Sequence, residues 1–317
     1  MDRKPDGPTI AVVGAGAVGG YIGGRLAAAG YDVRFLARGE NLAALRTKGL
    51  RITNGSTELT VPEVRASDDP RDLGEADYVL LCVKTPQLPA VVETLPPMVG
   101  QDTAVLTLQN GVEAPEQVAA GIGRDRVLPG TVRVLATTLG PGEVAHLGGP
   151  GVLGFAEWDG SVSARVVRLR EVLRDARLTV VEPPDIWADL WAKFLLVVPV
   201  GSLGAATGGA TIGELRSRAG TRKLLIAGIR ENYGTAVGLG IALPGDAVET
   251  AIGMMDRQPP DITSSLQRDI LAGRPSELEA WTGAAVRLAN SAGRAAPVHE
   301  TLYELLATRA SRISETL

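Results

Sequence analysis

Three glycines in the pattern Gly14-x-Gly16-x-x-Gly19 have the type and spacing to hold a pyrophosphate. They follow the apolar, β-branched run Ile10–Val13 and open a small-residue run at helical spacing. Gly14 permits a tight turn, Gly16 lets a pyrophosphate reach the backbone, and Gly19 lets the helix pack closely on its strand. The helix N-terminus supplies unpaired N–H groups and the positive end of a dipole. The expected ligand is a dinucleotide, cradled by Gly14, Ala15, Gly16, Ala17, Val18 and Gly19. The next strand, Asp32–Ala37, ends at Arg38, where NAD-selective sites usually carry an acidic residue for the ribose 2′-hydroxyl. A fixed positive charge suits a 2′-phosphate instead, so NADP is the expected cofactor. Lys84 closes the apolar run Tyr78–Val83 and stands on the edge along which ligands gather in open α/β sheets.

Other chemistries lack their residues. His146 and His299, the 2 histidines, are far apart and have no cysteine or acidic pattern of ligand type beside them, so no metal is expected. No serine lies in a nucleophile elbow, which argues against a hydrolase. The single cysteine, Cys82, sits inside an apolar run, which excludes an intrachain disulfide and reads as a buried thiol suited to a reducing cytoplasm. A formal net charge of −4 and no basic tract argue against nucleic acid or an anionic membrane surface as partner. The N-terminal MDRKPDGP runs into the first strand without an apolar signal region, and a cytoplasmic location is expected. Phe194–Gly213 carries no charge and is about as long as a membrane span, but it contains Pro199, 5 glycines and several hydroxyls. It reads better as a buried helix followed by a glycine-rich turn.

The elements that must position these residues alternate between strand and helix over the first half of the chain. Leu50–Val64 alternates around Asn54-Gly55 as a hairpin. Ala104–Leu108 reads as a buried strand ending in Gln109-Asn110-Gly111, before a helix over about 115–120. Strands follow at Thr131–Leu139, Gly142–His146 and Gly151–Phe155, then a helix over Val162–Ala176 and a last strand at Leu178–Val181. Beyond Glu182-Pro183-Pro184 the alternation gives way to amphipathic helical patterns. The expected fold is α/β, with a Rossmann-type dinucleotide-binding domain over residues 1–183 and an all-helical domain for substrate and dimerisation over 184–317.

Several landmarks then fall in one order: GAGAVG at Gly14–Gly19, Arg38-Gly39, CVKTPQ around Lys84, LQNG around Asn110, and LWAKF around Lys193. They continue with GELR at Gly213–Arg216, SSLQRD at Ser264–Asp269 and SELE at Ser276–Glu279. Over nearly its whole length the chain resembles the ketopantoate reductase (2-dehydropantoate 2-reductase) family. The resemblance implies a Rossmann domain, a helical domain, and an active site in the cleft between them where NADPH reduces a 2-oxo acid to a 2-hydroxy acid. It places the catalytic lysine at Lys193, the active-site glutamate at Glu277 and the substrate serine at Ser265. Asn110 falls near nicotinamide and substrate, Arg38 on the 2′-phosphate, Lys84 on the cofactor, and Ala136 at a backbone cofactor contact. Glu277 is also placed within reach of the cofactor.

The chemistry of these residues is coherent in its own right. A ketone accepting hydride on carbon needs a proton on the oxygen that becomes an alkoxide, and a nearby ammonium supplies both charge and proton. Lys193 stands between Trp191 and Phe194 on an apolar helix, where desolvation would lower its pKa. Glu277 either holds that ammonium or contacts the cofactor ribose, and a direct ion pair would instead raise the lysine pKa. Ser264 and Ser265 either bind a substrate carboxylate or cap the helix after Pro259-Pro260. The chain departs from the family where substrate is recognised. Asparagines expected four and eight residues after the lysine are Val197 and Gly201, a later asparagine is Thr282, and a polar position is Ile262. The pocket is therefore expected to be more apolar than the family's usual one. A different, more apolar ketone, 2-oxo acid or imine is the alternative substrate, and a non-catalytic NADP sensor is the alternative function. A homodimer through the helical domain is the assembly suggested by analogy of fold.

Overall fold

A computed structural model describes residues 4–314. The chain forms two compact units. The first runs up to Gln109 and resumes over Ala114–Ile186; the second holds Asn110–Glu113 and the chain from Trp187 onward.

Among the described residues the first unit is built on eleven strands: β1 Thr9–Val13, β2 Asp32–Leu36, β3 Leu50–Asn54, β4 Thr57–Val61, β5 Arg65–Ser67, β6 Tyr78–Leu81, β7 Ala104–Thr107, β8 Val127–Leu128, β9 Gly130–Gly140, β10 Glu143–Phe155 and β11 Thr179–Val181. Six of them make a parallel sheet in the order β5-β2-β1-β6-β7-β8. In order of their place in this sheet the strands run 3-2-1-4-5-6, the order of a doubly wound dinucleotide fold. The central strands β1, β6 and β7 are almost continuously apolar because both faces are covered, whereas β2 and the edge strand β5 carry charged residues. Ile10 and Val12 of β1 enter one core with Tyr78 and Leu80 of β6, while Ala11 and Val13 enter the other with Val79 and Leu81.

The remaining strands form a second sheet, ordered β11-β10-β3-β4 with β9 antiparallel to β10. Gly142–His146 and Gly151–Phe155, expected as two strands, are one strand. Register shifts at His146/Gly148 and Gly148/Val152 absorb the glycine-rich stretch, with Gly148, Gly149 and Gly151 all at positive φ. The helix Ala17–Ala28 lies between the two sheets, which explains its run of glycines. A Cβ on Gly23 would stand 2.6 Å from the Phe35 ring, on the first sheet. Cβ atoms on Gly20 and Gly24 would stand 2.7 Å from Val144 and 2.6 Å from Ile52, on the second. Two i, i+4 glycine pairs, Gly19/Gly23 and Gly20/Gly24, thus give the helix two close-packing faces.

The second unit is helical, with the helices Ile186–Ala206, Ile212–Ser217, Ala219–Gly238, Ala247–Arg257, Ser265–Leu271, Ala284–Ser291 and Pro297–Ser314. Among the described residues, Ile186–Ala206 is the one helix long and apolar enough to cross a membrane. Its Leu190, Trp191, Phe194, Leu195 and Val198 are buried in this fold. Pro199 lies inside it and has no N–H to give to the Leu195 carbonyl. The Asn232 amide donates to the neighbouring Phe194 carbonyl at 3.4 Å. His299 is fully buried. Its Nδ1 lies 2.7 Å from Glu231 Oε2, and Glu231 also accepts the backbone N–H groups of Val298 and His299 at the start of the last helix. His146 is buried as well, its ring centroid 4.6 Å from that of Tyr21. Both histidines are packing residues, and burial lowers the pKa of His146 below its usual value.

Gly19 supplies a test of the helix packing. Alanine is the better helix former by about 1 kcal/mol, but a Cβ at Gly19 would lie 1.9 Å from the Gly14 carbonyl oxygen. A backbone oxygen cannot swing away as a side chain can, so the clash wins. Gly19→Ala is expected to lose about 2 kcal/mol in urea denaturation. Gly16→Ala, whose Cβ would meet nothing within 4 Å, is expected to stay within about 0.5 kcal/mol of the parent.

Candidate active site

The glycine turn is shaped as its sequence requires. Gly14 sits at φ +96°, and a Cβ there would press on Val83 at 2.8 Å. Gly16 caps the helix Ala17–Ala28 with no side-chain hydrogen bond, and no acidic residue lies in the first turn. Among the described residues the Gly16 N–H has no acceptor, and open space lies where its Cβ would be. Unpaired N–H groups at an uncapped helix start, reachable over a glycine, fit a dinucleotide pyrophosphate. Arg38 caps the next helix, Gly39–Lys48, with an exposed guanidinium that makes no ion pair among the described residues. Lys84 is exposed at the start of the turn Thr85–Gln87, beyond the carboxyl end of β6, and its N–H donates to Gln87 Oε1 at 3.3 Å. Ala136 lies on β9 opposite His146. Cys82 also lies just past β6, outside the strand proper and with part of its surface accessible. Burial of the sulfur pushes the thiol pKa up to about 12, which disfavours the thiolate.

Two residues in this unit escaped the sequence reading. Buried Gln109 donates from Nε2 to the Leu81 and Val83 carbonyls at 2.9 and 3.1 Å, bracing the chain that leads to Lys84. Asn41 donates from Nδ2 to the Ala15 carbonyl at 2.9 Å and accepts the Gly142 N–H at 2.8 Å.

In the second unit the structure brings Lys193, Asn110 and Glu277 together. The Lys193 ammonium donates to Asn110 Oδ1 at 2.8 Å, and Asn110 Nδ2 donates to Glu277 Oε2 at 3.0 Å. An ammonium only donates and a carboxylate only accepts, so the two ends fix which way the Asn110 amide faces. Glu277 is 6% exposed and Lys193 is half-buried. Trp191 and Phe194, packed edge to face at 5.3 Å, are buried on either side of Lys193 along the helix. Gly111, at φ +98°, lets the turn after Asn110 approach Ala280, since a Cβ there would fall 2.8 Å from the Ala280 carbonyl oxygen. Just past Glu277 the chain enters a π-helical turn, Glu279–Gly283, before the helix Ala284–Ser291.

The open alternatives for the two serines resolve in part. Ser264 is the cap: its Oγ accepts the Gln267 N–H at 3.0 Å, and its own N–H donates to Gln267 Oε1. Ser265 is the first helical residue, half-buried, with no side-chain hydrogen bond among the described residues. The departures from the family pattern have structural reasons. Val197 and Gly201 follow Lys193 at i+4 and i+8, on the same helix face. A Cβ at Gly201 would stand 2.8 Å from Trp281 Cζ3 and 3.0 Å from Ser264 Oγ, so the indole fills the room a side chain would need. Thr282 is fully buried and shares a 2.7 Å hydrogen bond with Ser202. Ile262 packs against a cluster containing Leu203, Leu215 and Met255. Among the described residues no group of acidic, histidine or cysteine side chains could hold a metal.

A parallel sheet of this order with a glycine turn at its centre is the arrangement of a dinucleotide-binding protein. Residues 10–160 match the family described as "Ketopantoate reductase PanE/ApbA", and residues 185–310 match its C-terminal part. A 2-dehydropantoate 2-reductase of Mesorhizobium japonicum is 28% identical over 94% of this chain and 96% of its own. One from Halobacterium salinarum is 30% identical over 94% and 97%. The crystal structure of a PanE/ApbA family ketopantoate reductase from Ralstonia eutropha superposes with a TM-score of 0.89 at 29% identity, covering 96% of this chain and 99% of that one. The chain belongs to the ketopantoate reductase family. It is an oxidoreductase of the class that acts on CH–OH groups.

The contact between Gly201 and Trp281 is open to a stability measurement. Gly201→Ala is expected to lower the thermal unfolding midpoint, and Trp281→Leu to lower it as well. Combined, the two should cost less than their sum by about 1 kcal/mol, since the smaller residue makes room for the added methyl.

Proposed function

We propose that the protein reduces a 2-oxo acid to the 2-hydroxy acid with NADPH, its substrate being 2-dehydropantoate and its product pantoate, on the route to pantothenate and coenzyme A. The observation that carries this reading is the amide of Asn110 standing between the Lys193 ammonium and the Glu277 carboxylate. NADPH, when bound, supplies the hydride that reaches the carbonyl carbon. Lys193 stabilises the charge growing on the carbonyl oxygen and gives it a proton from Nζ. One N–H of the ammonium donates to Asn110, which fixes the direction in which Nζ is presented. Glu277 acts through Asn110 by holding its Nδ2, so that Oδ1 faces the lysine. Ser265 offers a hydroxyl to the substrate. Arg38 faces the 2′-phosphate, Lys84 and the backbone at Ala136 contact the cofactor, and Gly14–Gly19 hold the pyrophosphate.

A second reading keeps the chemistry and changes the substrate. Val197, Gly201 under the Trp281 indole, and the mutual Ser202–Thr282 hydrogen bond leave few polar groups for a hydroxylated substrate along the Lys193 helix. A 2-oxo acid with a larger apolar portion fits such a surface.

Initial rates of NADPH oxidation with 2-dehydropantoate and a panel of 2-oxo acids graded in apolar size test both readings. Selective turnover of 2-dehydropantoate is the expected result, turnover confined to the apolar members would favour the second reading, and no turnover with any would refute both. Arg38→Asp replaces a charge-assisted contact with repulsion. It is expected to shift the ratio of kcat/KM for NADPH over NADH by about tenfold or more towards NADH.

A further inference from the structure

We infer that Asn41 is a positioning residue that sets the pyrophosphate-binding face of the glycine turn, and this rests on the dinucleotide reading above. Asn41 stands in the first turn of the helix Gly39–Lys48, three residues after its cap Arg38. Its side-chain amide uses both ends: Nδ2 donates to the Ala15 carbonyl at 2.9 Å, and Oδ1 accepts the Gly142 N–H at 2.8 Å. One amide therefore joins the glycine turn, the helix headed by Arg38, and the turn between β9 and β10.

The Ala15 carbonyl shares its peptide plane with the Gly16 N–H. In a trans peptide the two point in opposite directions, and the chain has no cis peptide among the described residues. Fixing the carbonyl on Asn41 turns the Gly16 N–H to the other side. That N–H has no acceptor among the described residues, and nothing stands within 4 Å of the place a Gly16 Cβ would take. A glycine on each side of Ala15 gives this peptide little resistance to rotation of its own, so a side chain is needed to hold it.

The Gly142 end is anchored as firmly. Gly142 is at φ +73°, its carbonyl accepts the Arg51 N–H at 2.9 Å, and a Cβ there would lie 3.0 Å from the Gly49 carbonyl oxygen. Asn41 Oδ1 thus meets a donor that cannot move away, which leaves Nδ2 committed to Ala15. The orientation of the amide follows from the chemistry of its partners, a carbonyl that only accepts and an N–H that only donates.

Because the pyrophosphate is common to both nicotinamide dinucleotides, Asn41 acts on both alike, whereas Arg38 distinguishes them. The test is direct binding, followed by calorimetry with NADPH and with NADH, on Asn41→Leu and Asn41→Asp. Asn41→Asp keeps an acceptor for Gly142 but sets a carboxylate oxygen against the Ala15 carbonyl, so it removes the second contact and adds a negative charge. Asn41→Leu removes both without adding charge. In both variants Kd is expected to rise by about tenfold for NADPH and by the same factor for NADH, with kcat at saturating cofactor nearly unchanged and far-ultraviolet circular dichroism preserved. Should Asn41→Leu fail to fold, Asn41→Asp carries the test alone. A Kd within about twofold of the parent in Asn41→Asp would overturn the proposal, as would a rise for NADPH only. A parent protein that binds neither dinucleotide would overturn the cofactor reading, and this proposal with it.

Discussion

One side-chain amide joins the two charged groups of the candidate site. Asn110 receives the Lys193 ammonium on its oxygen and gives its nitrogen to the Glu277 carboxylate, at 2.8 and 3.0 Å. A chain of donor to acceptor has one sense only, and a charged group at each end keeps it from reversing. The cost of burying Glu277 is offset by that hydrogen bond, and losing it would leave a carboxylate without this partner in a site only 6% exposed. The surrounding backbone is shaped to allow the contact: Gly111 closes on Ala280, and a π-helical turn follows within two residues of Glu277. Such turns often stand at functional sites because the extra residue re-aims the side chains beside it.

The first unit obeys a comparable constraint at the helix Ala17–Ala28, which serves two sheets at once. Its glycines are paired four apart on two faces, and each pair admits a different sheet to close range. Close packing makes the turn at its head rigid, and Asn41 fixes the one peptide of that turn that a rotation would otherwise free. The uncapped helix start and the exposed Arg38 then lie on a stiff support, which is what recognition of a charged cofactor demands.

Much of this could be read from the sequence, and the exceptions share a cause. The central parallel strands β1, β6 and β7 showed as short apolar runs because they are covered on both sides, and the glycine turn announced itself by spacing; the short outer strands β5 and β8, of three and two residues, gave no pattern to read. In the second sheet the hairpin β3–β4, the strand β9 and the strand β11 were legible too, but β10 read as two strands because its glycine-rich stretch at 148–151 looks like a break and is absorbed as bulges. Ser264 could have been assigned as the cap, since Ser264 and Gln267 stand at capping-box spacing. Asn41 and Gln109 had no such pattern: an amide in a helix turn or at a strand end gains meaning only from the carbonyls it meets. Gly201 was legible as a departure, but nothing in the sequence tied it to Trp281. Their compensation lies 80 positions apart in sequence and could be seen only in space.

In the proposed reaction Lys193, aimed by Asn110, supplies the proton to the reduced carbonyl. This role is tested most directly by comparing Lys193→Ala with the parent in both turnover and NADPH affinity. In Lys193→Ala kcat is expected to fall by about a hundredfold or more, while the Kd for NADPH stays close to the parent value because the cofactor is held by other residues. Unchanged turnover would contradict the role given to Lys193.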